Sequence, residues 1–187
     1  MYNLEQIKFI LKQQLSDKRF YHSLCVMEMC EKLANYYNIN IEEAKLVGLA
    51  HDIAKEMPSE EKIQYSKANN LPVDTIENSY PSLLHAKIGA DICKKQFDFS
   101  DNMCSAISLH TTGGENMDIL SKILFVSDAI GIDRNYPSVE YARNLAFENL
   151  DKCVLYILNF TISDCLEKNK PIHINTILAR NYLLINQ

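Results

Sequence analysis

The chain has 187 residues, 47% of them apolar and 23% charged, with a formal net charge of −5. That composition excludes a disordered or low-complexity chain, and the length suits one globular domain. The acidic balance is poorly suited to gripping a nucleic-acid backbone, although a focused cationic site can still hold a small anion. No stretch approaches the roughly 18 uninterrupted apolar residues of a membrane span. The start, Met1 to Gln6, lacks the basic-then-apolar layout of a signal peptide, so no membrane association and a cytoplasmic location are expected. The cysteines (Cys25, Cys30, Cys93, Cys104, Cys153 and Cys165) form no C-x-x-C pair and read as reduced core thiols.

The apolar period is 3.6 almost throughout, with no convincing alternating run, and predicts an all-α fold. Asn3 caps a first helix through Leu4, Ile7, Leu11 and Leu15, which Ser16-Asp17 breaks. A second helix over about Lys18 to Asn38 carries His22 on the stripe of Val26, Met29 and Leu33. Asn40 and Glu43 form a capping-box pattern that opens a third helix through Ala44, Val47 and Ala50, ending at His51-Asp52. Pro58-Ser59 starts a charged surface helix that Asn69 to Pro72 ends. Pro81 suits a first turn, and Leu84, Ile88 and Ile92 carry the next helix with His85 beside them. Ser100 caps a helix through Met103, Ile107 and His110, stopped by Thr111 to Gly114. Another runs through Leu120, Ile123, Leu124 and Ser127-Asp128. After a turn at Asn135 to Ser138, two or three helices follow through Leu145, Leu155, Leu158, Ile162 and Leu166, then Ile177 to Leu184.

Four of the five histidines, His22, His51, His85 and His110, fall on apolar stripes at or near helix ends. Each alone is easily read as a satisfied core histidine. Several converging in one core are costly unless an ion sits among them. The adjacent pair His51-Asp52, in an apolar run, offers neutral nitrogen and anionic oxygen together, which a metal uses and a packed core does not.

"LAHDIAK" at Leu49 to Lys55 resembles the signature of the HD-superfamily metal-dependent phosphohydrolases, whose order H…HD…H…H…D is met by His22, His51-Asp52, His85, His110 and Asp128. These follow one another at intervals of 29, 34, 25 and 18 residues, which suits one ligand position per helix. The resemblance extends to the YqeK-type bacterial symmetrical bis(5'-nucleosyl)-tetraphosphatases through "RFYHSLCV", "LLHAKIGA", "ISLHTTG", "FVSDAIGIDRNYP" and "IHINTILARN". The chain departs from that pattern at Gly131-Ile132, where Glu-Pro is usual, and at Ile174, where Pro is usual. The resemblance implies a single HD-type domain over 1–187, with a metal-binding core at about 18–130 and C-terminal helices at about 138–187 packed on it.

What it implies about chemistry is a metal-dependent hydrolase that cuts diadenosine tetraphosphate symmetrically to two ADP. A donor set of imidazole and carboxylate without thiolate suits Fe, Mn or another first-row ion, and the resemblance implies iron. His22, His51, Asp52 and Asp128 are assigned to the first metal. His85 and His110 either bind a second ion, with Asp52 bridging, or meet phosphate directly, so one or two ions are expected. Lys55, one turn after His51, can reach a phosphate or remain a solvated helix-end charge. The resemblance puts Arg134 against phosphate, where a surface pair with Asp133 is the plain alternative. Thr111 and Gly113 offer a hydroxyl and a backbone N–H beside His110. His173, Asn175 and Thr176 would line the nucleoside. Phe20, Tyr21, Tyr80 and Tyr136 can stack a base, although core packing is the default for such residues. Two other readings share the ligand set: an HD hydrolase of a mono- or deoxynucleotide, and a non-catalytic nucleotide-binding module. Apolar residues in the last helices serve either a homodimer face or the chain's own core.

Overall fold

The computed structural model describes residues 2–186, and among them only helices and turns occur. The helices are α1 (Leu4–Gln14), α2 (Asp17–Tyr36), α3 (Ile41–Ala50), α4 (Ser59–Ala68), α5 (Thr75–Ser79), α6 (His85–Phe97), α7 (Asp101–Leu109), α8 (Ile119–Ile130), α9 (Val139–Glu148), α10 (Leu150–Glu167) and α11 (Ile174–Ile185). The all-α expectation holds.

The caps explain most boundaries. Asn3 and Gln6 exchange side-chain and backbone bonds (2.9 and 3.0 Å) in a complete capping box on α1. At α3 only half of the expected box forms: Asn40 accepts from the Glu43 N–H at 3.2 Å, and no return bond is made. Pro81 opens a 3₁₀ turn, Pro81–Leu84, that runs straight into α6 at His85. The short helix α5 lay outside the sequence reading. Its box of Asp74 and Glu77 follows the same D-x-x-E logic, but five residues bury too little to show a period. The C-terminal part forms three helices, in which Leu155 and Ile162 are only half-buried and Leu166 is exposed, so α10 shows a narrower apolar stripe than its sequence suggests.

One apolar core joins the N-terminal and C-terminal helices, with Leu33, Val47, Ile107, Leu124 and Val126 continuing into Ala142, Cys153, Leu158 and Ala179. Helices α2 and α3 approach closely because of Gly48. A Cβ there would lie 2.8 Å from the Met27 Cα, backbone that cannot yield without parting the helices. Their close approach brings the His22 and His51 rings to 5.3 Å between centroids. The six cysteines are free thiols, four of them buried, and burial pushes Cys30 up to about 12.

Candidate metal centre

Helix ends build the site. His51 is the C-terminal cap of α3 and His110 that of α7, so two carbonyl-rich helix ends point at one place, an arrangement that favours a cation. His85 opens α6, His22 sits in the second turn of α2, and Asp128 lies two residues before the end of α8. The four imidazoles are buried (0–4% exposed), as is Asp52 at 1%.

Three of these rings share one tautomer. The Nδ1–H of His51 donates to Gly48 O (2.8 Å), that of His85 to Ser82 O (2.6 Å) and that of His110 to Ile107 O (2.7 Å). Each bond leaves Nε2 turned inward, a lone pair for a cation in the neutral ring and a charge facing Asp52 in the protonated one. His22 does the same with a carboxylate, its Nδ1 meeting Asp133 Oδ2 at 2.7 Å while Nε2 lies 3.0 Å from Asp128 Oδ1.

Asp52 divides the cluster between its two oxygens. Oδ2 accepts from Arg19 Nη1 (2.6 Å) and faces His51 Nε2 at 3.4 Å and His22 Nε2 at 3.9 Å. Oδ1 faces His85 Nε2 (3.2 Å), His110 Nε2 (3.5 Å) and Lys55 Nζ (3.6 Å). Burial alone would raise the carboxyl, but His51 and its other imidazole neighbours hold it far below the usual range, so it is ionised. Asp128 is likewise held low against its burial by His22, His51 and Arg134.

These residues fit a divalent ion on their own geometry. Two sets, His22–His51–Asp128 and His51–Asp52–His110, each bring one ligand atom per residue within 4.8 Å. His51 Nε2 and Asp52 Oδ1 are buried without a hydrogen-bond partner, a costly state that a cation between them relieves.

The flanking residues divide as follows. Lys55 Nζ reaches His85 Nε2 at 3.0 Å, and Thr111 Oγ1 lies 3.2 and 3.1 Å from the Nε2 atoms of His85 and His110. Arg134 pairs with Asp128 rather than Asp133: its Nη2 holds Asp128 Oδ1, its Nε donates to Asp128 O at 2.7 Å, and Nη2 lies 3.3 Å from His22 Nε2. Gly113 departs from expectation, since its N–H closes α7 on Leu109 O at 2.8 Å and is not free for an anion.

The C-terminal motif is engaged elsewhere. His173 is buried, caps α11 by accepting the Asn175 N–H at Nδ1 (3.1 Å), and faces Asp74 Oδ2 (3.0 Å) and Glu77 Oε1 (3.8 Å) with Nε2. That trio also has metal-like spacing. With Nδ1 an acceptor, the neutral ring carries its proton on Nε2, which is buried near both carboxylates without forming a hydrogen bond to either. Thr176 Oγ1 donates to Thr112 O at 2.9 Å, fastening α11 to the loop after His110. Neither His173 nor Thr176 turns its polar atoms to the His–Asp cluster. Asn175 is half-buried beside them.

Two residues that the sequence reading left without a role belong to the site. Arg19 stands one turn before His22, on the same face of α2, and Asp133 stands next to Arg134.

The HD domain family model matches residues 19–132, the span that carries His22, His51, Asp52, His85, His110 and Asp128. Curated relatives named symmetrical bis(5'-nucleosyl)-tetraphosphatase match over nearly their whole length. The Bacillus subtilis (strain 168) protein is 30% identical, over 97% of this chain and 98% of its own. That of Halalkalibacterium halodurans is 33% identical over 95% of each, and that of Staphylococcus aureus 32% identical over 96% and 94%. A crystal structure described as a predicted HD superfamily hydrolase involved in NAD metabolism, from Clostridium acetobutylicum, superposes over 100% of both chains with a TM-score of 0.97 at 34% identity. The chain belongs to the HD-domain family, in the branch that holds these symmetrical tetraphosphatase relatives.

Proposed function

We propose that the chain is a metal-dependent hydrolase that cuts diadenosine tetraphosphate between its second and third phosphates, giving two ADP. The observation that carries this reading is the convergence of four imidazoles and two carboxylates on atoms buried without partners, His51 Nε2 and Asp52 Oδ1, with Lys55 and Arg134 at the edges. Near-full-length similarity to relatives named for this activity supports the substrate.

His22, His51, Asp52 and Asp128 would hold the first ion; His85 and His110 would hold a second or bind phosphate directly. Iron is the proposed native metal, because the donor set has no thiolate and the family resemblance implies it. A bound ion supplies charge neutralisation at a phosphoryl oxygen and acidifies water to near neutrality. The chain's own part is positioning. Lys55 and Arg134 neutralise the tetraphosphate from two sides, and the Thr111 hydroxyl orients an oxygen beside His85 and His110. Asp52, fixed by Arg19, keeps both halves of the cluster in register. Water oxygen bonds to one inner phosphorus as the bridging P–O bond breaks, and the freed oxygen leaves on the second ADP. His173, Asn175 and Thr176 would serve the nucleoside end by seating α11 on the loop after Thr111. The proposal includes one HD-type unit acting in the cytoplasm. No helix of the described residues is long and apolar enough to cross a membrane.

The test is product analysis on diadenosine tetraphosphate with anaerobically purified protein supplied with iron or manganese. ADP as sole nucleotide product, lost on chelation, is expected. ATP with AMP, or no turnover with any metal, overturns the reading.

A further inference from the structure

Helix α4 reads in the sequence as a charged surface helix, yet the residues it buries are Lys62 and Ser66, while its Ile63 and Tyr65 are only half-buried. Lys62 is 4% exposed. We propose that Lys62 is a positioning residue for the phosphate chain, acting from behind Lys55 to keep the Lys55 ammonium aimed into the site. The inference rests on the polyphosphate reading above.

Placement is the first argument. Helix α4 lies over a small apolar cluster of Ala54, Leu84 and Ile88, against which its Ile63 packs. Ala54 precedes Lys55 and Leu84 precedes His85, so α4 braces both the turn that carries the lysine and the turn that carries its imidazole neighbour. Lys62 Nζ donates to Lys55 O at 2.9 Å. Lys55 Nζ in turn reaches His85 Nε2 at 3.0 Å and lies 3.6 Å from Asp52 Oδ1. One lysine fixes the backbone from which the other reaches the cluster.

Charge is the second. A lysine is seldom buried unless a carboxylate pairs with it. Among the described residues no carboxylate forms an ion pair with Lys62, and its ammonium donates to a neutral carbonyl. Burial and then Lys55 lower its pKa from 10.5, and Asp52 acts against them, so the two ammonium groups feel each other. Lys62 is held in the interior, whereas the Lys55 side chain is 33% exposed and free to swing. Repulsion from a fixed charge behind it favours the Lys55 positions that face the cluster. An apolar side chain at 62 would fill the same space without desolvating a charge. The buried ammonium therefore costs stability, and what it gives in exchange is a lysine set in advance for an anion.

The test measures three quantities: KM and kcat on diadenosine tetraphosphate, pyrophosphate affinity of the manganese-loaded protein by isothermal titration calorimetry, and thermal melting. The proteins are wild type, Lys62→Met, Lys62→Gln, Lys55→Met and the double variant Lys55→Met/Lys62→Met. Lys62→Met should raise KM and weaken pyrophosphate by roughly 3- to 30-fold, with kcat within about twofold of wild type. Its melting temperature should not fall, because the change leaves no unpaired charge behind. Lys62→Gln should give the same binding pattern, and it carries the comparison if the methionine variant fails to fold. In the Lys55→Met background the Lys62 change should have little further effect, as one residue acting through another requires. Wild-type KM and pyrophosphate affinity in the Lys62 variants, a loss confined to kcat, or losses that add in full in the double variant would each overturn the role. A lowered melting temperature with binding unchanged would assign Lys62 to the fold alone. Pyrophosphate binding that depends on Lys62, in a protein that does not cleave diadenosine tetraphosphate, would uphold the role and overturn only the substrate reading.

Discussion

His85 Nε2 and His110 Nε2 lie 3.1 Å apart, and both rings commit their Nδ1–H to backbone carbonyls. Two lone pairs therefore face each other across Asp52 Oδ1. A proton does not relieve this at neutral pH, because burial, with His110 and Lys55 alongside, pushes His85 down to about 4. A metal ion would. Chelation is accordingly expected to lower the unfolding free energy by about 3–4 kcal/mol relative to protein held at 100- to 1,000-fold the metal's dissociation constant. His51→Ala and Asp52→Ala should abolish turnover and metal content, keep most of the helicity, and melt identically with and without chelator. Melting of the wild type that ignores both chelator and added metal would sink the ion assignment.

Arg19 holds Asp52 Oδ2 at 2.6 Å, on the side of the carboxylate turned away from His85 and His110. Removing that hold leaves Asp52 free to rotate off the line between the two ligand sets. Arg19→Ala should reduce metal affinity or kcat by about 10- to 100-fold, as losses around a metal's ligands commonly do. Arg19→Lys should recover part of it, since a point charge replaces a planar donor. Metal titration followed by steady-state kinetics reads both. Wild-type values in Arg19→Ala would mean that the pair is only a surface tether.

Asp133 orients His22 through Nδ1, and Gly131 permits it: a Cβ at 131 would lie 2.8 Å from Asp133 Oδ1. Asp133→Asn and Gly131→Ala should converge on one phenotype, a weaker metal site of the same order as Arg19→Ala. The Gly131 change should act through Asp133, so in the double variant the two effects should fail to add. Full additivity would show that Gly131 works by another route.

The sequence made the helices and the ordered histidines and aspartates visible because both are local signals: a 3.6 period, and motifs such as Leu49 to Lys55. Arg19 was harder. It shares a face with His22, but an arginine in a helix's first turn announces nothing until Asp52 is folded against it. Asp133 looked like the natural surface partner of Arg134, and only the fold turns it to His22. The nucleoside role of His173 rests on the resemblance alone, and its nearness to Asp74 and Glu77 is invisible in sequence because they sit on a helix too brief to show a period. Gly113 was read correctly as a helix end, yet a helix end consumes the N–H that a phosphate would have used.

Glu56 clamps the start of α2 to the turn after Asp52, accepting from Ser16 Oγ at 2.6 Å and from Ser16 N at 2.8 Å. These two bonds hold its carboxyl below the ordinary value of 4.5. A depressed carboxyl stabilises the fold fully above that value, and the benefit falls away as pH drops from it through the lower folded value. Glu56→Gln should cost a few tenths to about 1 kcal/mol at pH 7, since the group is exposed and screened. The gap between variant and wild type in denaturant melts should close on acidification below about pH 4. A gap independent of pH would assign the loss to packing instead of charge.

Ile174 occupies the first position of α11, directly after the His173 cap, and its side chain is 54% exposed. A helix's first N–H has no partner within the helix, so proline there removes nothing and fixes the required φ in advance. The preceding residue must then be extended, and His173 already is, at φ −62° and ψ 138°. Ile174→Pro should therefore stabilise the protein by about 0.4–1 kcal/mol, chiefly by narrowing the unfolded ensemble. Because α11 is fastened to the loop after His110 through Thr176, the gain should appear without a change in kcat. Thermal melts and kinetics on the same preparation check both. A destabilised variant would mean that the Ile174 side chain packs where the exposed surface suggests it does not.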